Sequence, residues 1–276
     1  MHAPADLVTH LAALWHLDVG PAFPTTFGLP GNFVAPARRA DGSTAVLKIS
    51  QYVPETRTEL AALRLWDGQG AARLLAADPD HGALLLEHIQ PGGMLAEAAT
   101  DEDGAVEVTA GLLRQLWRPL PGAHELRPLE TWCAAYDRNR AALSRGVDGF
   151  PAALFQRADA LRAHLLSSTT RCVALHGDLH HYNVLRSARA EWLAIDPKGL
   201  AGDPCFDICQ FLRNPVPVPP DVNRRRVDVF CAELGLERER VQQWCLVHAM
   251  LNACWDYEDG RPWHTDVAYA EQTRSF

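Results

Sequence analysis

A polar loop between short apolar segments constrains this chain more than any other feature of its sequence. Residues 175–185 read Leu-His-Gly-Asp-Leu-His-His-Tyr-Asn-Val-Leu, and the next apolar segment ends at Ile195-Asp196. Short apolar runs separated by polar residues are typical of strands joined by loops. Such strands are predicted here at 173–175, 184–185 and 192–195. We therefore expect Asp178, Asn183 and Asp196, which follow or lie between these strands, to face one cleft.

These three side chains offer the ligands that Mg²⁺ prefers. Carboxylate and amide oxygens are hard donors, and Mg²⁺ is usually held by one or two of them together with water and substrate phosphates. Enzymes that transfer phosphoryl groups use such donors to hold the metal ion against a nucleotide. The loop therefore points to magnesium-dependent phosphoryl transfer.

The two lysines of the chain are the second informative feature. Only Lys48 and Lys198 are lysines among 26 basic residues; the others are all arginines. A coding bias toward arginine explains the scarcity of lysine but leaves these two positions to chance. Lys48 interrupts the apolar run 45–49, which is typical of a strand, and Lys198 follows Asp196 by two positions. Their positions favour a chemical role.

The order of the predicted elements divides the chain into two lobes. Strands are predicted at 33–38, 44–49, 73–75 and 82–89, with one helix among them at 55–66. Beyond the break at Pro91-Gly92-Gly93, helices are predicted at 105–117, 130–143, 152–166, 206–212, 225–234 and 238–255. We therefore predict an α+β fold, with a small β-rich lobe over 1–90 and a larger, mainly helical lobe over 91–276.

Charge and composition narrow the class of partner. A net charge of −8 and a pI near 5.8 argue against a protein that binds nucleic acid or anionic lipid. The apolar stretches are far shorter than the roughly 18 residues that span a bilayer, and residues 1–20 lack the pattern of a secretory signal. The seven cysteines include no CxxC pair, which favours buried, reduced thiols. We expect a cytoplasmic protein that acts on small molecules.

The two polar loops resemble those of a known enzyme family. His-Gly-Asp-Leu-His-His-Tyr-Asn-Val-Leu at 176–185, followed by Ile-Asp-Pro-Lys-Gly-Leu at 195–200, is similar to the catalytic and metal-binding loops of aminoglycoside phosphotransferases. The Asp-Pro-Lys-Gly-Leu segment and the Gly202-Asp203-Pro204 after it resemble in particular the streptomycin 6-phosphotransferase and hydroxyurea kinase branch. The resemblance implies a protein-kinase-like two-lobed fold that transfers the γ-phosphate of ATP to a hydroxyl of a small molecule.

The same resemblance implies roles for individual residues. Asp178 would be the catalytic base, while Asn183 and Asp196 would hold Mg²⁺ against the ATP phosphates. Lys48 would contact the α- and β-phosphates and form an ion pair with Glu59, which lies eleven residues further on in the predicted helix. Glu55, one helical turn earlier, is the alternative partner.

The resemblance also implies binding or structural roles for further residues. The strand that ends at Glu87-His88-Ile89 resembles the hinge whose backbone binds adenine. Asp207 resembles the aspartate that supports the catalytic loop through backbone hydrogen bonds, and His176 resembles a packing residue rather than a base. The phosphate-covering loop is weakly marked, because Thr25–Asn32 contains no Gly-x-Gly-x-x-Gly run.

The acceptor is open between streptomycin-like guanidinium compounds, hydroxyurea and other small metabolites, since fold alone does not choose. Two roles are open for Lys198: it neutralises charge on the transferred phosphate, or it pairs with Asp196 or Asp203 and stabilises the loop. Cation recognition favours carboxylates beside aromatic rings. The candidate acceptor-binding residues are therefore Lys198, Asp203, Trp255, Asp256, Glu258 and Asp259, although the acidic group is equally typical of a solvated helix end.

Two interpretations from other classes compete with a kinase. The histidines at 176, 180 and 181 with Asp178 superficially resemble a zinc hydrolase site, but no second cluster of ligands accompanies them in the sequence. A non-catalytic kinase-like binding module would not need Lys48, Asp178, Asn183 and Asp196 all at once. The sequence favours the phosphotransferase.

Overall fold

The computed structural model describes residues 5–24, 32–98 and 101–276. Its N-terminal elements are α1 Ala5–Leu14, β1 Leu17–Val19, β2 Phe33–Arg39, β3 Thr44–Ile49, α2 Val53–Trp66, β4 Leu74–Asp78 and β5 Ala83–Glu87. The five strands form one antiparallel sheet in the order β1-β2-β3-β5-β4, so that β3 lies at its centre.

The C-terminal part is mainly helical. Its strands are β6 Pro91–Met94, β7 Arg127–Pro128, β8 Val173–Leu175, β9 Val184–Ser187, β10 Trp192–Ala194 and β11 Leu200–Gly202. Its helices are α3 Glu102–Leu116, α4 Leu129–Trp132, α5 Ala135–Leu143, α6 Ala152–Ser167, α7 Pro204–Asp207, α8 Cys209–Arg213, α9 Pro220–Leu234, α10 Arg238–Glu258 and α11 His264–Gln272. Short 3₁₀ turns occur at Leu95–Glu97, Val147–Gly149 and Thr273–Ser275. The predicted α+β fold class is confirmed.

Alternation along β3 directs Lys48 away from the small core beneath α1. Successive side chains of a strand point to opposite faces of the sheet. Leu47 and Ile49 pack with Leu11 of α1 on one face, whereas the intervening Lys48 lies on the other face together with Val46. An ammonium group on a buried strand needs a charged partner. The C-terminal part supplies one on that face, the carboxylate of Asp196.

The long helix α10 lies at the centre of the C-terminal part. It buries side chains such as Trp244 and Met250 and packs against α5, α6, α9 and α11. All seven cysteines are free thiols, as predicted, and five are buried, whereas Cys172 is exposed. Within the described ranges, no helix is long and apolar enough to span a membrane.

Two small three-stranded sheets position the polar loops. The sheets have the orders β10-β9-β6 and β7-β11-β8. The loop 176–183 connects β8 to β9, and the segment 195–199 connects β10 to β11. Because β11 pairs antiparallel with β8, the two loops emerge side by side.

The division of the chain into two lobes between residues 90 and 91 stays a prediction. The first strand after that boundary, β6, pairs with β9 in the C-terminal part.

The structure differs from the predicted elements at several places. The helix predicted at 130–143 is interrupted between α4 and α5, where the Ala134 N–H binds the Thr131 carbonyl in a tight turn. The helix predicted at 206–212 is likewise divided into α7 and α8. Six elements were not predicted because they are short or weakly patterned: α1, β1, β6, β7, β11 and α11.

Candidate active site

Asp178 lies in the loop between β8 and β9 with a cation or a proton donor on each side. Its carboxylate oxygens are 3.6 Å from Lys198 Nζ and 3.7 Å from His180 Nε2, and 21% of its side chain is exposed. Burial raises the pKa of Asp178, while Lys198 and His180 oppose this shift. A part-buried carboxylate with a raised pKa and an open edge has the properties of a proton acceptor.

Asp207 supports this loop from below. One of its carboxylate oxygens accepts the N–H of Gly177 at 2.6 Å, and the other accepts the N–H of His176 at 2.9 Å and Trp117 Nε1–H at 3.1 Å. Gly177 has a φ of +81°, and a Cβ there would lie 2.8 Å from the Leu200 side chain. The buried carboxylate and the glycine together define the path of the loop that presents Asp178.

His176 is a structural member of the loop rather than a base. Its Nδ1 accepts the N–H of Asp178 at 3.2 Å, so Nε2 carries the proton and donates to the Ile195 carbonyl at 2.9 Å. Burial lowers the pKa of His176 to about 3. The neutral ring therefore joins the loop of Asp178 to the strand end that carries Asp196.

Lys48, Glu59 and Asp196 form one ion-pair group. Lys48 Nζ lies 2.7 Å from Glu59 Oε2 and also forms a salt bridge with Asp196. Burial alone would lower the pKa of Lys48, but the charges of Asp196 and Glu59 outweigh burial and raise it. Burial would raise the pKa of Asp196, yet Lys48 and Lys198 hold it well below its ordinary value. The helix residue that pairs with Lys48 is Glu59, not Glu55.

Asn183 and Asp196 offer the oxygen donors that a magnesium site needs. Asn183 Nδ2 donates to the Asp178 carbonyl at 2.9 Å, which leaves its amide oxygen for another partner. The Ile195 N–H donates to the Asn183 carbonyl at 2.9 Å, so the two strand ends are adjacent. Asp196 keeps 39% of its side chain exposed although Lys48 holds one of its oxygens. An amide oxygen and a carboxylate beside a cleft fit Mg²⁺.

The histidines do not form a zinc site. His181 is buried and stacks on Phe211, with ring centroids 3.9 Å apart, and both ring nitrogens of His176 are occupied. In the part of the chain that the structure describes, no group of three or more His, Cys, Asp or Glu side chains converges as metal ligands would. The described residues therefore give the zinc hydrolase alternative no support.

The hinge candidates Glu87, His88 and Ile89 differ in what their side chains contact. The Glu87 carboxylate binds Arg189 at 2.7 Å and the N–H of Arg73 at 3.0 Å, so its side chain is engaged in structure. Ile89 packs on a small apolar cluster whose members include Ala72, Leu185, Leu193 and Ile195. His88 lies edge-on to Phe23. Among the described residues, Ile89 makes no backbone hydrogen bond.

The segment Thr25–Asn32, expected to cover the phosphates, lies outside the described residues except for Asn32.

The Asp-Pro-Lys-Gly segment docks directly on α2, a contact that the sequence analysis missed. Thr58 Oγ1 donates to the Lys198 carbonyl at 2.7 Å. Gly199 has a φ of +64°, and a Cβ there would lie 2.0 Å from the Thr58 carbonyl oxygen. The glycine itself was the available sequence signal, because a close backbone approach at positive φ requires it.

Asp203, a candidate for acceptor binding, is buried and engaged in structural contacts. It is only 3% exposed and caps the start of α7 by accepting the Cys205 N–H at 3.0 Å. Its other oxygen accepts Trp244 Nε1–H at 2.9 Å and pairs with Arg240. These contacts give the Asp203 carboxylate a structural role, and acceptor binding by Asp203 stays a prediction.

The acidic residues at the end of α10 are matched by arginines. Asp256 binds Arg261 at 2.8 Å and Asp259 binds the same guanidinium. Glu258 binds Arg138 at 2.7 Å, and Trp255 packs edge-on against Trp132. The free negative charge on which the acceptor-binding prediction rested is thus largely compensated. Acceptor binding by Trp255, Asp256, Glu258 and Asp259 stays a prediction.

Known proteins similar to this chain are antibiotic-modifying kinases. Residues 15–260 match the family described as aminoglycoside/hydroxyurea antibiotic resistance kinase. The chain is 36% identical over 270 residues to a streptomycin 6-kinase of Streptomyces glaucescens, covering 92% of this chain and 83% of that protein. It is 37% identical over 257 residues to a hydroxyurea phosphotransferase of Kitasatospora aureofaciens, covering 89% of this chain and 71% of that protein.

A solved structure shares the fold. The aminoglycoside phosphotransferase APH(4)-Ia, crystallised as a thermostable mutant with AMP-PNP and hygromycin B, superposes with a TM-score of 0.67 at 14% sequence identity. The alignment covers 97% of both chains. The family resemblance seen in the two loops, and the kinase-like fold that it implied, are confirmed.

The packing of Gly199 on α2 predicts a large loss of stability in Gly199→Ala. The added Cβ meets the Thr58 carbonyl and is also strained by positive φ, so we expect the free energy of unfolding to fall by more than the roughly 1–2 kcal/mol of positive φ alone. Gly235→Ala is the matched control, because Gly235 also has a φ of +64° but a Cβ there meets nothing within 4 Å. Urea unfolding of both variants measures the difference, and equal losses would show that the loop is not packed as described.

Proposed function

Because this chain belongs to the aminoglycoside/hydroxyurea antibiotic resistance kinases, we propose that it transfers the γ-phosphoryl group of ATP to a hydroxyl of a streptomycin-like aminoglycoside. The observation that carries the proposal is one continuous set of charges. Lys48 pairs with Glu59 and Asp196, and Lys198 lies beside Asp178, so that a phosphate-binding cation and a proton acceptor share one cleft.

The N-terminal sheet and the strand ends would bind the nucleotide. We propose that Lys48, held by Glu59, binds the α- and β-phosphates, and that the free backbone groups of Ile89 bind adenine. Asn183 and Asp196 would hold Mg²⁺, which when bound offsets the charge of the phosphates. Because ATP is the donor, we propose that the enzyme works in the cytoplasm.

Asp178 would act on the acceptor rather than on ATP. The acceptor oxygen forms a bond to the γ-phosphorus while the bond from that phosphorus to the β–γ bridging oxygen breaks. The hydroxyl proton passes to the Asp178 carboxylate, and ADP leaves with the bridging oxygen. The exposed edge of Asp178 and its raised pKa support this assignment.

A guanidinium-bearing acceptor is favoured by the charge of the chain. The net charge of −8 attracts a cationic molecule over long range, whereas neutral hydroxyurea gains nothing from it. Hydroxyurea is the second candidate, because a hydroxyurea phosphotransferase is as similar in sequence as a streptomycin 6-kinase. The two candidate functions share the reaction and differ in the acceptor.

Mass analysis of products tests the proposal. Purified protein is incubated with Mg·ATP and, separately, with streptomycin, other aminoglycosides and hydroxyurea. We expect an ATP-dependent phosphorylated product with streptomycin, formed more slowly as the salt concentration rises. Phosphorylation of hydroxyurea alone would support phosphoryl transfer from ATP and reject a streptomycin-like compound as the acceptor. No product with any acceptor would reject the proposal.

Replacing the base tests the mechanism. Asp178→Asn keeps the size of the side chain but removes its ability to take a proton, so we expect turnover to fall by about 100-fold or more. Calorimetric affinity for Mg·ATP should be nearly unchanged, because the base contacts the acceptor. Asp80→Asn is the matched control, since Asp80 forms only an exposed ion pair with Arg57. An Asp178→Asn enzyme within about tenfold of the parent would contradict the assignment.

A further inference from the structure

The ammonium group of Lys198 is part-buried and forms one long ion pair. Its side chain is 18% exposed, and its ion-pair partner, Asp178 Oδ2, lies 3.6 Å away, beyond hydrogen-bond distance. Among the described residues, Asp178 provides the one carboxylate within salt-bridge distance of Nζ. An ammonium has three donors, and a single long ion pair engages at most one of them. The side chain therefore has donors available for an anionic ligand in the cleft.

The side chain is not what holds the loop in place. The N–H of Lys198 donates to the His176 carbonyl at 2.7 Å, and its carbonyl accepts Thr58 Oγ1–H at 2.7 Å. Gly199 then packs against the α2 backbone. These contacts involve the main chain on both sides of Lys198 and would persist with another side chain there. Of the two roles that the sequence left open, loop stabilisation is thus already filled by the backbone.

The charge balance at the two lysines differs. Lys48 faces two carboxylates, those of Glu59 and Asp196, at contact distance. Lys198 faces a single carboxylate at a longer distance, that of Asp178, and Asp196 acts on it through the electrostatic field. Its positive charge is therefore the less compensated of the two. It also interacts with both the proposed proton acceptor, Asp178, and the proposed metal ligand, Asp196.

We propose that Lys198 is a catalytic residue that binds the γ-phosphoryl group of ATP and stays bound to it during transfer. The inference rests on the proposed function and assigns to Lys198 a phosphate ligand rather than the acceptor. Lys198 keeps its proton throughout, and its ammonium donates to the non-bridging oxygens while the phosphorus moves from the bridging oxygen of ADP to the acceptor oxygen. A fixed positive charge at this position stabilises the negative charge on the phosphoryl group during its transfer.

The contrast between AMP-PNP and ADP isolates this contact. Both nucleotides share the adenine, ribose and first two phosphates, but only AMP-PNP carries a γ-phosphoryl group. In Lys198→Met we expect calorimetric affinity for Mg·AMP-PNP to fall by about tenfold or more, the usual effect of losing a hydrogen bond to a charged group. Affinity for Mg·ADP should stay within about twofold, and Lys198→Arg should recover part of the loss.

Thr58→Val is the matched control for loop support. It removes the hydroxyl that binds the Lys198 carbonyl and leaves the ammonium in place. We expect Thr58→Val to lower the melting temperature and to leave the ratio of AMP-PNP to ADP affinity unchanged. Equal AMP-PNP and ADP effects in Lys198→Met, or a change in the ratio in Thr58→Val as large as that in Lys198→Met, would overturn the inference. Lys198→Gln replaces the methionine variant if that protein does not fold.

The outcomes separate this inference from the proposed function. The nucleotide measurement needs no acceptor, so an error about streptomycin leaves it intact. A parent protein that binds neither nucleotide would reject the proposed function and the inference together. A parent that phosphorylates an acceptor, with a Lys198→Met variant that binds both nucleotides as the parent does, would reject the inference alone.

Discussion

The ion pairs of Lys48 hold together three elements that are far apart in the chain. Lys48 is on the central strand β3, Glu59 is on helix α2, and Asp196 follows β10, 148 residues beyond Lys48. A buried charge is tolerated only when it is paired, and removing one partner leaves the others uncompensated. The N-terminal sheet, α2 and the loop of Asp196 must therefore adopt one relative position, which brings the candidate site residues together.

Main-chain contacts make this arrangement rigid. The Lys198 carbonyl and Gly199 bind α2 at Thr58, one residue before Glu59, so the loop and the ion pair are attached to the same helical turn. Asp207 binds successive N–H groups of the neighbouring loop, and the neutral His176 ring joins that loop to Ile195. Because these contacts position the two loops, the side chains of Asp178 and Lys198 are not needed to hold them. Their charges and oxygens are available for chemistry.

The sequence predicted the parts of the site that local pattern determines. Strand alternation around Lys48, the helical register of Glu59 and the polar loops after β8 and β10 all follow from neighbours in the chain. The same reasoning does not identify partners that are distant in the sequence. The ion pair of Asp203 is formed with Arg240, and the charge of Glu258 is compensated by Arg138.

Distance in the sequence also explains why the role of Lys198 was open. Its neighbours Asp196 and Asp203 were the obvious partners by spacing, yet the carboxylate that faces it is that of Asp178 in another loop. The hydrogen bond from Thr58 to its carbonyl spans 140 residues and has no local signature. Short strands such as β6 and β11 escaped prediction for the same reason, since their pairing partners, rather than their own residues, make them strands.

Turnover of a Lys48→Arg enzyme tests the central claim most directly. If Lys48 binds phosphates while Glu59 and Asp196 hold its compact ammonium, a planar guanidinium will not fit between them even though the charge is kept. We predict that kcat falls by about tenfold or more, the cost of losing a charged hydrogen bond, while circular dichroism shows a folded protein. A folded Lys48→Arg enzyme with the turnover of the parent would contradict the account.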